Sequence, residues 1–151
     1  MRPIDLKLFA TLEVYVDPPQ EIGKTGAGLR RVIPITGGKV TGQDWAGVVL
    51  NGGADFQVIV NERRAELDAR YVLELPQGKI FVQNRAVRVA DPAITQKIVA
   101  GETVDPSEVY FRCTPIMETA IPELKWIEER VFVGTGVRKP DCVELTFYEV
   151  L

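Results

Sequence analysis

Histidine is absent from the 151 residues of this chain. Its absence excludes the Ser-His-Asp and Cys-His arrangements that activate a nucleophile, and it excludes metal sites ligated by imidazole. The two cysteines, Cys113 and Cys142, are too few for a disulfide framework and do not form a Cys-x-x-Cys motif. An oxygen-ligated metal site remains open, but no acidic calcium loop is present. We therefore expect no metal ion and no other cofactor, so that chemistry must use Asp, Glu, Tyr, Lys, Arg or a cysteine thiolate.

Strongly basic stretches and long apolar runs are also missing. The net charge is -3 and the sequence pI is about 5.1, so no extended basic surface is expected to bind nucleic acid. No apolar run is long enough to cross a membrane. The first residues, Met1 to Asp5, lack the charged-then-apolar layout of a signal peptide. We expect a cytoplasmic protein that binds neither nucleic acid nor membrane.

The hydrophobic residues, 46% of the chain, fall in short alternating runs. Alternation is typical of strands with one buried face, and Gly, Pro, Asn or Asp separates most of the runs. The length suits one domain, so the pattern predicts a single all-β domain over residues 1–151, an antiparallel barrel or sandwich. The opening strand, 6–16, would bury Leu6, Leu8, Ala10, Leu12, Val14 and Val16, and a flexible loop would follow at 23–28. Further strands are predicted at 30–36, 39–40, 46–50, 54–60, 66–75, 79–89, 108–117, 125–133 and 142–150.

One segment has helical signals instead. Asp91 is a possible N-cap, Pro92 suits the first helical turn, and Gly101 suits the end of a helix. We predict one short helix near residues 92–100, which either covers one end of the barrel as a lid or only connects two strands.

Charged side chains occur on three predicted strands where a half-buried strand usually has few. Alternation places Asp55 with Gln57, and Asp68 with Arg70, on the face opposite the apolar one, and it does the same for Arg112. If that face is enclosed, the charges need partners, because an isolated buried carboxylate or guanidinium is costly. These segments therefore indicate a site.

Five segments in a fixed order resemble the domain of unknown function 3237 family, and the resemblance covers nearly the whole chain. It implies a small, eight-stranded, up-and-down, calycin-like β-barrel, a closed topology with room at its open end for one small ligand. The family name states no function. The segments that carry the resemblance are RVIPITGG at 31–38, GGADFQ at 52–57, LDARY at 67–71, DPSEVYFR at 105–112 and PIMET at 115–119.

Within such a barrel the polar residues suggest cofactor-free proton transfer. A desolvated carboxylate can accept or donate a proton, and a nearby arginine can stabilise an oxyanion or enolate. This chemistry would support isomerisation, cyclisation or elimination beside the carbonyl of a small carbonyl or carboxylate metabolite. Tyr110 shares the parity of Arg112 and is preferred as phenolic donor over Tyr71, which lies opposite Arg70. The predicted catalytic residues are Asp55, Asp68, Arg112 and Tyr110, and the predicted substrate-binding residues are Arg31, Gln57, Arg70, Asn84, Glu118 and Trp126.

Alternatives remain open for the same residues. Asp68 with Arg112, or Asp55 with Arg70, would serve equally well as ion pairs that fix strand register. Trp126 would serve as barrel packing, since aromatic residues at strand spacing usually belong to the core. The protein would then be a non-catalytic barrel that binds a small molecule in its mouth, or a structural homo-oligomer with a packed interior. We expect a small-molecule ligand and self-association as its partners.

Overall fold

The computed structural model describes residues 2–151 of the chain. In these residues, one sheet of ten strands is accompanied by one α-helix and two 3-10 helices, and none of the helices is long and apolar enough to span a membrane. The strands are β1 (Leu6–Val16), β2 (Gln20–Thr25), β3 (Gly28–Gly42), β4 (Trp45–Val49), β5 (Gly53–Ile59), β6 (Arg64–Leu75), β7 (Gly78–Val89), β8 (Tyr110–Thr119), β9 (Phe132–Arg138) and β10 (Cys142–Val150). The helix α1 spans Pro92–Val99, and the 3-10 helices span Pro106–Glu108 and Pro122–Glu129.

The sheet closes on itself because β1 pairs with both β3 and β10. Two positions in the barrel wall are each filled by two successive strands. At the first position β1 and then β2 pair with β3. At the second position β4 and β5 each pair with β3 on one side and with β6 on the other. Counting each of these positions once gives an eight-stranded antiparallel barrel in up-and-down order. The predicted all-β barrel is confirmed.

The opening strand has the predicted bounds, but its first residues face the other way. The register between β1 and β10 shifts between Leu8 and Ala10, which makes Phe9 the extra residue of a β-bulge. Leu6 and Leu8 are therefore exposed, whereas Phe9 and Ala10 are both buried. The prediction that Leu6 and Leu8 are buried is wrong, because a bulge interrupts the strict alternation on which it relied.

Several other segments differ from their predicted structure, and the strands predicted at 30–36 and 39–40 form one continuous strand, β3. The strand predicted at 125–133 is largely the 3-10 helix Pro122–Glu129, in which Leu124 and Ile127 are buried three residues apart, the spacing of one helical face. The flexible loop predicted at 23–28 is the end of β2 and its hairpin turn into β3. The short apolar run at 125–133 did not reveal that most of it forms a helix. The glycine-containing run at 23–28 did not reveal the pairing of β2 with β3.

Aromatic side chains fill one end of the barrel, which the 3-10 helix Pro122–Glu129 covers. Phe9 and Phe132 are buried with ring centroids 4.9 Å apart. Trp126 packs edge-on against Phe9 at 5.7 Å. The buried polar side chains Gln57, Asn84 and Arg88 lie toward the opposite, open end.

The helix α1 borders that open end. It has Pro92 in its first turn, as predicted, but Asp91 makes no capping hydrogen bond and pairs instead with Arg63 at 2.9 Å. Thr95 and Ile98 face the protein interior, and the C-terminal residues of the helix line the opening itself. The helix therefore forms part of the rim, in the position that a lid would occupy.

Candidate functional site

The interior of the barrel is polar toward its open end. Asp55 and Gln57 share the inner face of β5, and Asn84 and Arg88 share the inner face of β7, because residues two or four apart on a strand point the same way. These residues line a narrow cavity of about 40 Å³, which we call the lumen.

A wider opening, the mouth, continues from the lumen to solvent. It has a volume of about 350 Å³ and lies between the Pro18–Pro19 segment, the end of α1 and the turn at Pro140. Gln57, Arg88 and Arg138 line both the lumen and the mouth. A molecule that enters through the mouth therefore meets these three side chains before it reaches Asp55.

Small side chains keep the lumen open beside Asp55. Ala69 of β6 lies directly across from Asp55 on one side and from Asn84 on the other. Ala86 of β7 is the next inward-facing residue of its strand and also lines the lumen. Because each contributes only a methyl group, space remains between the carboxyl of Asp55 and the amide of Asn84.

Asp55 combines a hydrogen-bonded oxygen with a free one. Gln57 Nε2 donates a hydrogen bond of 2.8 Å to Asp55 Oδ2, and Asp55 Oδ1 is buried with no partner in residues 2–151. Burial raises the pKa of Asp55, and the Gln57 hydrogen bond and the charge of Arg88 oppose this rise only in part. Such a carboxyl exchanges protons nearer to neutral pH than an exposed aspartate does.

Tyr71 lies deeper in the lumen and is a proton-bearing donor. The residue is 2% exposed, and within residues 2–151 its hydroxyl has no hydrogen-bond partner. Burial raises the pKa of Tyr71 above its usual value, so the phenol keeps its proton. Cys113 packs nearby, and burial raises the pKa of its thiol to about 11, which leaves it a neutral side chain rather than a nucleophile.

Three arginines meet where the lumen opens into the mouth. Arg31 is buried and donates through Nε to Glu21 Oε1 at 2.9 Å. Arg88, which is 3% exposed, and the half-buried Arg138 have no ion-pair partner in the described part of the chain. Burial lowers the pKa of Arg88 to about 10, with Asp55 opposing the change and Arg31 and Arg138 adding to it. The guanidinium of Arg88 is therefore still charged at neutral pH.

All the unpartnered buried side-chain atoms found in residues 2–151 converge on this one space. Each costs about 1–3 kcal/mol if it stays unsatisfied, and such atoms are rare in folded proteins. Their collection in one cavity indicates a place that receives water or a polar ligand. The six atoms are Asp55 Oδ1, Gln57 Oε1, Tyr71 Oη, Asn84 Oδ1, Arg88 Nη2 and Arg138 Nη1. No group of three or more Cys, Asp or Glu side chains in the same residues is arranged to hold a metal ion.

Some predicted site residues are in this space and others are not. Asp55, Gln57 and Asn84 line the lumen, and Arg31 lines the mouth. Trp126 does not, since it packs at the closed end. Its predicted place among the substrate-binding residues with Gln57 and Asn84 is therefore wrong, and at 41% exposure it is only partly packed against the barrel.

Asp68 and Arg70 lie on the outer face of β6. In the β5–β6 ladder Asp68 is directly opposite Phe56, and Arg70 is opposite Ala54. Directly opposite residues share a face, so Asp68 and Arg70 point away from the lumen. Arg70 donates to Asp68 at 3.3 Å. The prediction that both line the lumen is wrong, and so are the proposed pairs of Asp68 with Arg112 and of Asp55 with Arg70.

Tyr110, Arg112 and Glu118 lie on the outer face of β8. This strand alternates strictly between exposed and buried residues, and all three occupy exposed positions. The guanidinium of Arg112 stacks over the ring of Tyr110 at 5.1 Å. Their prediction as lumen residues is wrong, because the enclosed side of this strand is the apolar side that carries Phe111 and Cys113.

Tyr71, Arg88 and Arg138 are the lumen residues that sequence reasoning missed. Tyr71 lies opposite Arg70, as parity predicts, but that opposite face is the lumen. Arg88 follows Asn84 at even spacing, and Arg138 follows Gly134 and Gly136 in the same way. On both strands an arginine ends a run of alternate residues that face the barrel interior. That pattern could have identified Arg88 and Arg138 as lumen residues.

Comparison with known proteins places the chain in a family. The family model described as "Protein of unknown function (DUF3237)" matches residues 4–150. A UPF0311 protein of Rhodopseudomonas palustris is 36% identical over 149 residues, covering 98% of this chain and 97% of that protein. A UPF0311 protein of Clostridium acetobutylicum is 37% identical over 142 residues, covering 93% and 90%.

Solved structures share the barrel. A conserved protein of unknown function from Rhodopseudomonas palustris superposes with a TM-score of 0.94 at 36% identity, covering 100% of both chains. A beta-barrel like protein from Acinetobacter baumannii gives 0.86 at 35% identity, covering 100% and 98%. A structure described as an enzyme from Penicillium herquei shares the fold at a TM-score of 0.74 and 16% identity, covering 100% and 97%. From its family match and these relatives, this chain belongs to the DUF3237 family.

Proposed function

We propose that this protein binds a small molecule in the lumen and catalyses cofactor-independent proton transfer on a small carbonyl or carboxylate metabolite. One observation carries the proposal: the six unpartnered buried polar atoms of residues 2–151 all line the same enclosed space. A purely structural interior would pair such atoms or replace them with apolar groups. Here donors and acceptors are instead held ready around a cavity that a ligand can reach from the mouth.

Asp55 is the candidate proton acceptor. Its raised pKa brings the carboxyl nearer to the working range of a general base or acid, while Gln57 fixes its orientation through Oδ2 and leaves Oδ1 free. Arg88 contributes a buried positive charge beside it. Tyr71 contributes a phenolic proton that burial retains. These are the acid, base and oxyanion-stabilising groups that proton transfer beside a carbonyl requires.

The reaction follows from these roles. Asp55 takes a proton from the carbon beside a carbonyl, the C–H electron pair forms a C=C bond, and the carbonyl π pair moves onto the oxygen, where Arg88 or Tyr71 donates a hydrogen bond. Return of the proton to a different atom gives isomerisation. In elimination the carbonyl re-forms, and a group on the next carbon departs with its bonding electron pair. In cyclisation Asp55 instead takes the proton of a hydroxyl of the same molecule as that oxygen adds to the carbonyl carbon, and the carbonyl oxygen receives the proton. A barrel of this fold is described as an enzyme in Penicillium herquei, so the fold is compatible with an active site.

The test is untargeted mass spectrometry of a small-metabolite extract incubated with wild-type protein, with Asp55→Asn and with Asp68→Asn. Asp68 is the matched control, because it is the same residue type on the outer face of the neighbouring strand. We expect a metabolite that wild type and Asp68→Asn convert and that Asp55→Asn converts at least about 100-fold more slowly. Equal conversion by all three proteins would contradict the role of Asp55.

A non-catalytic binding barrel is the second candidate, because the same unpartnered atoms can hold a ligand without turning it over. In this case the same extract yields a compound that both wild type and Asp55→Asn retain during ultrafiltration, without conversion by either. The polar atoms of the lumen would then serve recognition alone.

A further inference from the structure

The unpartnered atoms are sorted along the barrel axis. Arg88 and Arg138 line both the lumen and the mouth, which places them at the neck between the two. Asn84 and Tyr71 line only the lumen, and Tyr71 also belongs to the apolar core of the closed end. The neck therefore holds the two charged donors together with the amide of Gln57, which lines both spaces, while Asp55, Asn84 and Tyr71 lie deeper.

The two guanidinium groups at the neck form no ion pair in residues 2–151. Glu21 is paired with Arg31, and Asp17 and Asp141 line the rim of the mouth. Asp55 acts on Arg88, and Asp55 and Asp141 act on Arg138, from beyond ion-pair distance. Arg88 Nη2 and Arg138 Nη1 remain without a partner in the described residues. Two buried positive charges in such surroundings are stabilised by an anion.

We propose that the ligand carries a carboxylate, that Arg88 and Arg138 bind this carboxylate at the neck of the lumen, and that the uncharged end of the ligand points inward to Asp55 and Tyr71. The inference rests on the proposed function and adds to it the charge of the ligand and its direction of binding. A carboxylate is a planar monoanion whose two oxygens match one N–H from each guanidinium.

This direction also follows from the deeper groups. An anion beside Asp55 would meet the unpartnered oxygens of Asp55 and Asn84, with the hydroxyl of Tyr71 as the unpartnered donor. A hydroxyl, carbonyl or C–H group suits that position better. The ligand class is thus a short carboxylic acid with an oxygen-bearing or activated carbon on its uncharged side.

Matched pairs of simple probes test the assignment. Benzoate with benzamide, and acetate with acetamide, differ in charge but little in shape, and methyl phosphate tests another anion. Ligand-observed NMR titration gives the Kd of each probe for wild type, Arg138→Gln, Arg88→Gln and Arg85→Gln. Arg85 is the control, because it is exposed on the outer face of β7. We expect the carboxylates to bind wild type and Arg85→Gln at least about tenfold more tightly than the amides, and each neck variant to lose at least about tenfold.

Several results would overturn the carboxylate assignment. Equal affinity for benzoate and benzamide, carboxylate binding that survives Arg138→Gln unchanged, or no carboxylate binding at all would each do so. Tighter binding of methyl phosphate than of either carboxylate would also overturn it. Arg138→Gln keeps the test valid if Arg88→Gln does not fold, since Arg138 is only half-buried. The proposed function fails separately, if Asp55→Asn converts metabolites as wild type does while benzoate binding still depends on Arg138.

Discussion

Asp55 and Asp68 show how one residue type acquires two different environments on neighbouring strands. Asp68 faces outward, where Arg70 and Gln83 donate to it at 3.3 and 3.4 Å. Asp55 faces the lumen, where Gln57 supplies one hydrogen bond and burial raises its pKa. The difference arises from a single step along the pleat, which separates the solvated face from the enclosed one.

The raised pKa of Asp55 predicts how stability depends on pH. The folded state holds this proton more tightly than the unfolded state does, so the contribution of Asp55 is fully favourable below its ordinary pKa of 3.8 and is lost as pH rises through the folded pKa. Asp55→Asn removes that loss. We expect the variant to gain stability relative to wild type as pH rises, in urea unfolding series between about pH 4 and pH 8.

Asp68→Asn is the control for this comparison, because it changes the same charge on the outer face. It should not show the gain in stability with rising pH that is expected of Asp55→Asn. If Asp55→Asn instead lost stability with rising pH relative to wild type, Asp55 would be ionised and paired in the folded protein, contrary to its environment in the structure.

At the scale of elements, β9 depends on glycine where its inner face meets β8. A Cβ atom at Gly134 would lie 2.8 Å from Cys113 Sγ, and one at Gly136 would lie 2.8 Å from the ring of Phe111. Phe111 is itself buried in a cluster with Leu67. Glycine therefore lets β9 approach these side chains and brings Arg138, at the end of the same face, to the neck of the lumen.

Gly136→Ala is predicted to destabilise the barrel by about 1–3 kcal/mol, because the added methyl group must displace the buried ring of Phe111. Urea unfolding measures the change. Gly26→Ala is the matched control, since a Cβ there meets nothing within 4 Å, and it should change stability by less than about 0.5 kcal/mol. A loss of the same size in both variants would show that the effect comes from glycine replacement in general and not from contact with Phe111.

The elements also show what sequence can and cannot reveal. The bounds of β1 and β10 and the position of α1 follow from alternation, turn residues and Pro92, which are local signals. The bulge at Phe9 was not predictable, because it exists only in the register with β10. Parity paired Asp55 with Gln57 correctly. It could not say that Asp68 faces outward, because the relative phase of two strands is fixed by their ladder and not by either strand alone.

At the scale of the whole molecule, the barrel wall is uneven. The β6–β7 ladder joins twelve residue pairs, whereas β8 and β9 are joined only at Arg112 with Thr135 and at Cys113 with Gly134. We call this two-pair contact between β8 and β9 the seam. Beyond it the 3-10 helix Pro122–Glu129 lies beside the end of β8, where Glu128 Oε2 accepts a hydrogen bond of 3.0 Å from the backbone N–H of Thr119. A side chain there replaces the partner that a neighbouring strand would provide.

The seam predicts where the barrel opens first. In hydrogen–deuterium exchange under native conditions, peptides covering Phe132–Arg138 should exchange faster than peptides covering Arg64–Leu75, because the β9 amides directed toward β8 have few strand partners. Mass spectrometry of the labelled peptides measures this difference, and the β6 peptides serve as the internal reference. Equal protection of both segments would show that the seam is no weaker than the rest of the wall.

The ladder between β1 and β10 has a consequence for folding. Leu6 pairs with Val150, so the contact that closes the barrel joins segments at opposite ends of this sequence, and loop closure of that length makes folding slow. During synthesis β1 emerges long before β10, and until β10 arrives both β1 and β9 present open sheet edges. A chain stalled at that stage exposes backbone groups that pair readily with other chains. The lumen and its polar atoms form only when the final strand is in place.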